Sequence, residues 1–314
     1  MQLPTALTAA IAALLEGVAR KDLATIAEKQ SAGYRRGASS QGIGTTLDAA
    51  AYAAVRMPAT FAACAAVFER FAAVLPGFAP ASLLDVGAGT GAASWAAVTQ
   101  WPGLSDIVLL DRNPALRVLA RRLADAGPLQ SAEILAGDIA DIGDTKADLV
   151  VASYVLAELP EEKAATVAAD FWMSANSALA LIEPGTPAGF ARIRAARAAL
   201  IAVGAHVAAP CTHDKACPMS GDDWCHFSQR LPRSRDHMRL KDAKVPFEDE
   251  RYSYLVVTRQ KSASGARILS VPLEAKPGLT FKLCDEKGLR AEFVAARDKD
   301  AYRRVRKLGW GDRF

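Results

Sequence analysis

The stretch LLDVGAGTG, Leu83–Gly91, decides the fold of this chain of 314 residues. Its first residues form a short apolar run that is typical of a buried strand. The glycines that follow allow positive φ and let the backbone pass close to a ligand. A helix predicted from Ala92 onward points its free N–H groups toward the same place. The stretch therefore predicts a strand, a ligand-binding turn and a helix in succession.

Two classes of ligand compete for a turn of this kind. Dinucleotide folds use the spacing G-x-G-x-x-G, whereas this chain has Asp85-x-Gly87-x-Gly89-x-Gly91. An acidic residue ahead of the glycines disfavours a pyrophosphate. It favours a ligand with a cationic end, such as the amino-acid part of S-adenosylmethionine.

Short apolar runs alternate with helical stretches through the middle of the chain. After the run that ends at Val86, further runs end at Asp111, Gly137, Ser153 and Glu183. This alternation predicts parallel βαβ units in a doubly wound α/β sheet that is covered on both faces. The predicted division is an N-terminal helical region over 1–80, a ligand-binding Rossmann-like domain over 81–262 with a cysteine-rich insertion at about 205–250, and a small C-terminal β-containing subdomain over 263–314.

Acidic residues stand at the ends of the next two predicted strands. Asp111 follows the turn by about twenty residues, where a ribose diol would be held. Asp138 and Ile139 follow the third strand, where an adenine edge would lie. Together with the glycine turn, these residues resemble the class I methyltransferases, and the resemblance implies that the turn approaches the methionine part and that Asp85 lies near its amino group. The predicted donor-binding set is Asp85, Gly87, Ala88, Gly89, Gly91, Asp111, Arg112, Asp138, Ile139, Ser153 and Tyr154.

The segment after the fourth predicted strand identifies no acceptor. It reads SYVLAELP over Ser153–Pro160 and lacks the Asn/Asp-Pro-Pro-aromatic signature of amino-group methyltransferases. No cysteine stands where the cytosine-C5 enzymes place their nucleophile. No catalytic residue is predicted, and the sequence favours binding of the methyl donor over any particular transfer.

Four of the five cysteines are predicted to be metal ligands. Three lie within fifteen residues in polar surroundings and the fourth ends a distant strand, which is a common way to close a four-coordinate site. Thiolate ligation suits either zinc or an iron–sulfur cluster, and His213 or His226 could replace one thiolate around zinc. Cys64, in an apolar helical stretch, is predicted to be a buried structural thiol. The predicted ligands are Cys211, Cys217, Cys225 and Cys284.

Basic residues concentrate in two places, while the whole chain carries a net charge of only +4. Such patches predict salt-dependent contacts with RNA phosphates, and the alternative is an ordinary solvated face. The first patch contains Arg230, Arg233, Arg235, Arg239, Lys241 and Lys244, and the second contains Arg303, Arg304, Arg306, Lys307 and Arg313.

The apolar pattern predicts no membrane span. No run of eighteen apolar residues is free of charges and breakers, and no basic region precedes the apolar stretch Leu7–Leu15. We therefore expect a monomeric bacterial protein of the cytoplasm.

Several segments beyond the glycine turn resemble one known family. They are YAAVRMPAT at Tyr52–Thr60, APCTHDKACP at Ala209–Pro218, WCHFSQR at Trp224–Arg230, YSYL at Tyr252–Leu255 and WGD at Trp310–Asp312. Together they resemble the methyltransferase-like assembly factors of the small ribosomal subunit that occur in mitochondria and bacteria. The resemblance implies that the four predicted cysteine ligands hold a [4Fe–4S] cluster and that the protein binds the small subunit or its precursor through rRNA.

Three functions stay open from the sequence. The intact glycine turn favours an rRNA methyltransferase that uses S-adenosylmethionine. The missing acceptor signature and the basic patches favour a non-catalytic assembly factor that binds rRNA, as some members of the family act without transferring a methyl group. The third alternative is a small-molecule methyltransferase with a structural zinc.

Overall fold

A mostly parallel sheet forms the centre of the molecule. The computed structural model describes residues 2–35, 40–140, 142–261 and 265–314. Within them the strands of this sheet are β1 (Ser82–Val86), β2 (Asp106–Asp111), β3 (Glu133–Ala136), β4 (Ala147–Ser153), β5 (Ala175–Pro184), β6 (His206–Ala209), β7 (Phe227–Pro232) and β8 (Phe247–Thr258). Their order is β3-β2-β1-β4-β5-β8-β6, with β7 also paired to β8. Strands β1 to β5 are parallel, and β8 runs antiparallel to its neighbours.

Helices cover both faces of this sheet, which confirms the predicted doubly wound fold of the class I methyltransferase type. Along β1, Leu83 packs into one hydrophobic layer and Leu84 into the other, as strand alternation requires. The described helices are α1 (Thr5–Leu14), α2 (Arg20–Arg35), α3 (Thr46–Val55), α4 (Met57–Val74), α5 (Ala92–Gln100), α6 (Pro114–Ala124), α7 (Ala164–Ser174), α8 (Pro187–Ala202), α9 (Arg235–Leu240) and α10 (Lys299–Val305). Helices α4 to α6 contribute to the first layer, and α7 and α8 to the second.

The register of the central strands brings their carboxyl ends to one edge. Val86 at the end of β1 lies opposite Leu110 of β2 on one side and Ala152 of β4 on the other. The loops that follow these strands therefore meet above the same edge, where ligands bind in open α/β sheets.

The N-terminal helices pack on the first layer of the core. Helix α3 begins with a capping box, in which Thr45 and Asp48 exchange hydrogen bonds. Helix α2 continues to Arg35, and residues 36–39 lie outside the described residues. Among the described helices, α4 is long and apolar enough to cross a membrane. It is weak evidence for a membrane span, because 72% of it is buried within the protein.

The region predicted as a cysteine-rich insertion, about 205–250, forms a lobe that belongs partly to the main sheet. Strands β6 and β7 both pair with the long strand β8, and the short helix α9 packs near α2 and α3. The lobe departs from the βαβ rhythm because its strands join an antiparallel neighbour, which needs no crossover helix.

The C-terminal residues form a second, antiparallel sheet. Its strands are β9 (Arg267–Ile268), β10 (Leu273–Ala275), β11 (Gly278–Asp285) and β12 (Gly288–Ala295). Strands β11 and β12 form a hairpin, with Gly288 at φ 109°. Helix α10 covers one face of this sheet, where Tyr302 and Val305 pack near Phe281 and Leu283. The division of the chain into three parts near residues 80 and 262 stays a prediction.

Candidate functional site

A cleft of about 460 Å³ opens at the carboxyl edge of β1, β2 and β4. Residues of α2, α3 and the loop after β4 form its other walls. Eight of the eleven residues predicted to bind the donor line it: Gly87, Gly89, Asp111, Arg112, Asp138, Ile139, Ser153 and Tyr154. The other three, Asp85, Ala88 and Gly91, lie behind its surface.

The glycine turn adopts the backbone conformation that its sequence predicts. Gly87, Gly89 and Gly91 have φ values of 66°, 57° and 78°, which side chains rarely adopt. A Cβ atom on Gly87 would lie 2.6 Å from a methyl group of Val155. Close packing and positive φ together explain why glycine occupies this position.

Asp111 ties the turn to the end of β2. Its carboxylate accepts hydrogen bonds from the backbone N–H groups of Gly89 and Asn113, each at 2.7 Å. Burial raises the pKa of Asp111, although these N–H groups oppose the shift. The carboxylate thus lies beside the turn, and its predicted role in holding a ribose stays a prediction.

Asp85 stabilises the helix behind the turn. Its side chain is fully buried and accepts the backbone N–H of Ser94 at 3.1 Å and its hydroxyl at 2.7 Å. Burial raises the pKa of Asp85 to about 7. The placement predicted for Asp85, near the amino group of the donor, stays a prediction, because the described side chain faces α5.

A chain of polar contacts crosses the mouth of the cleft. Arg112 lies 3.2 Å from Asp138 and 3.7 Å from Glu158. Glu158 in turn accepts hydrogen bonds from the N–H and hydroxyl of Ser40, at 2.8 and 3.1 Å. Asn113 donates to the carbonyl of the same serine, so the segment before α3 is fastened to the cleft. Sequence reasoning missed Ser40, Asn113 and Glu158, because they are distant in the chain and match no motif.

Tyr154 follows β4 and lines the cleft. It is a non-glycine residue with φ 62°, which is a strained conformation. Its hydroxyl donates to Glu250 at 2.7 Å, and Arg56 donates to both oxygens of Glu250 at 3.2 and 2.9 Å. The Arg56 guanidinium also lies 4.9 Å from the centre of the tyrosine ring. Burial holds the pKa of Tyr154 well above its usual range.

The loop after Tyr154 is held by a second buried acid. Glu183, at the end of β5, accepts the backbone N–H groups of Leu156 and Ala157 at 2.8 and 2.9 Å. Burial raises the pKa of Glu183 to about 8. This side of the cleft is therefore built from groups that are already engaged with each other.

The four predicted cysteine ligands line one cavity between α8, β8 and the C-terminal sheet. All four are free thiols. Burial raises the pKa values of Cys211 and Cys225, and it raises that of Cys284 to about 12. Cys64 is apart from them and fully buried in α4, as predicted for a structural thiol.

As placed, the side chains do not form a site for a single metal ion. Among the described residues no group of three or more His, Cys, Asp or Glu side chains is arranged to hold one. Nε2 of His213 lies 3.8 Å from Sγ of Cys284, whereas His226 stacks on Trp224 and does not line the cavity. Metal binding by the four cysteines therefore stays a prediction.

The first basic patch is partly neutralised by its own neighbours. Arg233, His237 and Lys241 surround Glu248 at 3.5, 3.0 and 3.6 Å, and these contacts lower the pKa of Glu248 to about 2 against the effect of burial. Its exposed members are Arg230, which pairs with Asp249, and Arg235, Arg239 and Lys244. In the second patch Arg303, Arg304, Arg306 and Lys307 are exposed on α10 and the residues after it.

Comparison with known proteins gives one family and several relatives. The family described as "Mitochondrial small ribosomal subunit Rsm22" matches residues 46–314. The human "Ribosome assembly protein METTL17, mitochondrial" is 30% identical over 287 residues, which cover 83% of this chain and 61% of that protein. "Rsm22-cox11 tandem protein 2, mitochondrial" of Schizosaccharomyces pombe is 25% identical over 292 residues, which cover 74% and 38%. The chain thus spans less than two thirds of the length of either relative.

Solved structures with a similar arrangement include two methyltransferases. One is the magnesium protoporphyrin IX methyltransferase of Synechocystis with bound SAH, with a TM-score of 0.43, 14% identity and coverage of 64% of this chain and 84% of that chain. The other is the precorrin-6y C5,15-methyltransferase of Geobacter metallireducens, with a TM-score of 0.41, 15% identity and coverage of 62% and 86%. At these TM-scores neither structure bears on the site or the function of this chain.

The predicted location in the bacterial cytoplasm is wrong. The matching family and both relatives are described as mitochondrial. The prediction rested on the apolar pattern of the chain, which argues against a secretory signal but says nothing about a mitochondrial location.

Proposed function

The chain belongs to the Rsm22 family of the mitochondrial small ribosomal subunit, and on that premise we propose that it is a methyltransferase-like factor that binds S-adenosylmethionine and acts in assembly of the small ribosomal subunit. The observation that carries the proposal is the cleft at the carboxyl edge of the sheet. It joins a positive-φ glycine turn to an acid at the end of β2, and its volume lies in the range of small-molecule sites, roughly 300–1,000 Å³.

In this proposal, each wall of the cleft would contact a different part of the donor. The turn at Gly89 leaves room for the methionine part, because this glycine has no side chain and the space beside it is nearly open. Asp111 would hold the ribose hydroxyls, and Asp138 with Ile139 would hold the adenine. When bound, S-adenosylmethionine supplies an electrophilic methyl group.

The side of the cleft at Tyr154, where an acceptor would have to enter, favours an assembly role without methyl transfer. A general base must be within hydrogen-bond reach of the proton that it removes. The hydroxyl of Tyr154 already donates to Glu250, and that carboxylate is held by Arg56. The second candidate, an rRNA methyltransferase, is favoured by the intact glycine turn and requires that these contacts open.

The four-cysteine cavity fits an iron–sulfur cluster better than zinc. A tetrahedral zinc ion with Zn–S bonds of about 2.3 Å needs sulfurs roughly 3.8 Å apart, and the described thiols are not gathered in this way. All four nevertheless line one cavity, and four thiolates are the usual ligands of a [4Fe–4S] cluster. Bound there, a cluster would join the segment after β6 to the C-terminal sheet through Cys211 and Cys284.

Calorimetric titration with S-adenosylmethionine tests the donor site. We expect Asp111→Ala to weaken binding by a few kcal/mol at most, because charge-assisted hydrogen bonds are lost. Asp106→Ala is the matched control, since Asp106 is exposed at the opposite end of the same strand. Absence of donor binding by the unmodified protein would refute the proposal.

Two measurements separate the candidate functions. Co-sedimentation of the protein with small subunits or their precursors is expected for an assembly factor, and its absence would exclude that role. A methylation map of small-subunit rRNA from cells lacking the protein separates transfer from assembly. An unchanged map would exclude the rRNA methyltransferase.

A further inference from the structure

Two buried arginines face the cavity that the four cysteines line. Arg197 on α8 is 5% exposed and Arg267 on β9 is 3% exposed. Both line the cavity together with the hydroxyl-bearing side chain of Tyr254, which is 2% exposed. Two cations at this depth are unusual, since arginine is almost never fully buried unless it is paired.

The hydrogen bonds of these arginines go to neutral carbonyl groups. Arg197 donates to the carbonyl of His213 at 2.7 Å, and Arg267 donates to those of Pro210 and Gly311 at 2.7 and 2.8 Å. In the part of the chain that the structure describes, neither arginine has an Asp or Glu side chain within ion-pair distance. Nε of Arg197, Nη2 of Arg267 and the hydroxyl of Tyr254 are buried without a partner there.

This arrangement requires a negative group. A guanidinium cannot lose its proton in a protein, so burial does not neutralise it as it neutralises a lysine. A buried charge without a counter-charge costs several kcal/mol. The unpartnered N–H groups and the two positive charges border a cavity that is also lined by the four thiols and Tyr254, with Arg194 at its rim, and none of these groups is a carboxylate. The charge missing from the cavity is therefore close to −2.

We infer that Arg197 and Arg267 are the resident counter-ions of the iron–sulfur cluster proposed above, and the inference rests on that proposal. Four thiolates around a cluster core of charge +2 carry a total charge of −2, which the two guanidinium groups balance. Net charge and hydrogen bonds to the sulfurs set the reduction potential of such clusters. The arginines thus retain the cluster and favour its more negative, reduced state.

The test uses the full chain purified without oxygen. Iron and sulfide content, the rate of iron loss to a chelator and the reduction potential are measured for the unmodified protein, Arg197→Gln and Arg267→Gln. We expect both variants to have a more negative potential and to lose iron faster. In Arg197→Lys, which keeps the charge, the reduction potential and the rate of iron loss should be closer to those of the unmodified protein. Tyr254→Phe removes a donor without removing charge and should shift the potential less than either glutamine variant.

Arg194→Gln is the matched control. Arg194 lies one turn earlier on α8 at the rim of the cavity, where it is exposed and its charge is screened by solvent. The reduction potential of the cluster in Arg194→Gln should differ little from that in the unmodified protein.

The outcomes that would overturn each proposal are distinguishable. If the unmodified protein contains zinc, or neither iron nor sulfide, the cluster proposal fails and the inference with it. If it contains the cluster, but both glutamine variants keep its potential and its rate of iron loss, the inference alone is overturned. If the glutamine variants do not fold, Arg197→Lys decides, because a potential shifted well below that of the unmodified protein would contradict charge compensation.

Discussion

Replacing Asp85 by asparagine should make the stability of the protein less dependent on pH. The carboxyl is 0% exposed, one oxygen accepts both hydrogen bonds from Ser94, and the other oxygen has no partner among the described residues. Burial raises its pKa from 3.8 to about 7. Asparagine has nearly the same shape, can accept the same two hydrogen bonds and carries no charge.

The magnitude follows from the pKa difference. A raised carboxyl pKa means that the folded state binds more protons than the unfolded state between about pH 4 and pH 7, so stability falls as pH rises through that window. The full difference corresponds to about 4 kcal/mol, of which about 3 kcal/mol is lost between about pH 5 and pH 8. In Asp85→Asn this loss is absent. The new amide NH₂ takes the place of the unpartnered oxygen and also lacks a partner, which lowers the free energy of unfolding by about 1–3 kcal/mol at every pH.

The assay is urea unfolding at about pH 5 and pH 8, with each protein in the same metal state and without S-adenosylmethionine. From about pH 5 to about pH 8, the free energy of unfolding of the variant should rise by about 3 kcal/mol relative to that of the unmodified protein. Asp106→Asn is the control, because it removes a carboxylate that is exposed at the start of β2. It should leave the pH dependence almost unchanged.

Equal pH dependence in Asp85→Asn and the unmodified protein would refute the reasoning. It would mean that Asp85 titrates at the same pH in the folded and unfolded states, which a buried carboxyl with one unpartnered oxygen does not do. A shift of the same size in Asp106→Asn would contradict the assignment of the effect to burial.

Three further predictions concern the turn, the cysteine cavity and the basic helix. Gly87→Ala should cost about 2 kcal/mol or more of stability in urea unfolding, because φ 66° is unfavourable for a side chain and the new Cβ would lie 2.6 Å from a methyl group of Val155. Gly103→Ala, with open space around it, should cost little. Cys217→Ser should lose its metal and much of its solubility, and intact metal content in that variant would refute the ligand assignment. Replacing Arg303 and Arg304 by glutamine should weaken binding to the small subunit. It should also lower the slope of log affinity against log salt concentration by about one unit for each RNA phosphate that is no longer neutralised. Unchanged binding at each salt concentration would exclude α10 from the interface.

Much of the fold could be predicted because its signals are local in the sequence. The LLDVGAGTG stretch forms strand β1, the positive-φ turn and the start of α5 where the pattern places them. Strand and helix bounds in the middle of the chain follow from apolar runs separated by amphipathic or alanine-rich stretches. The lobe after β6 was harder to predict, because pairing of β6 and β7 with β8 depends on residues far apart in the chain.

The sequence by itself determined which residues gather at the cleft. Strand ends in a parallel sheet meet at one edge, so Asp111, Asp138 and Tyr154 could be grouped from their positions after predicted strands. It also determined that four cysteines belong together, through their spacing and the family resemblance.

Only the tertiary structure decided what surrounds these groups. It turned Asp85 toward α5, joined Tyr154 to Arg56 and Glu250 across the sheet, and fastened Ser40 over the cleft. It also buried Arg197 beside the cysteines without a counter-charge among the described residues. These features arise from contacts between distant segments, and burial and pairing depend on the full three-dimensional surroundings of a side chain. No local pattern in the sequence encodes them.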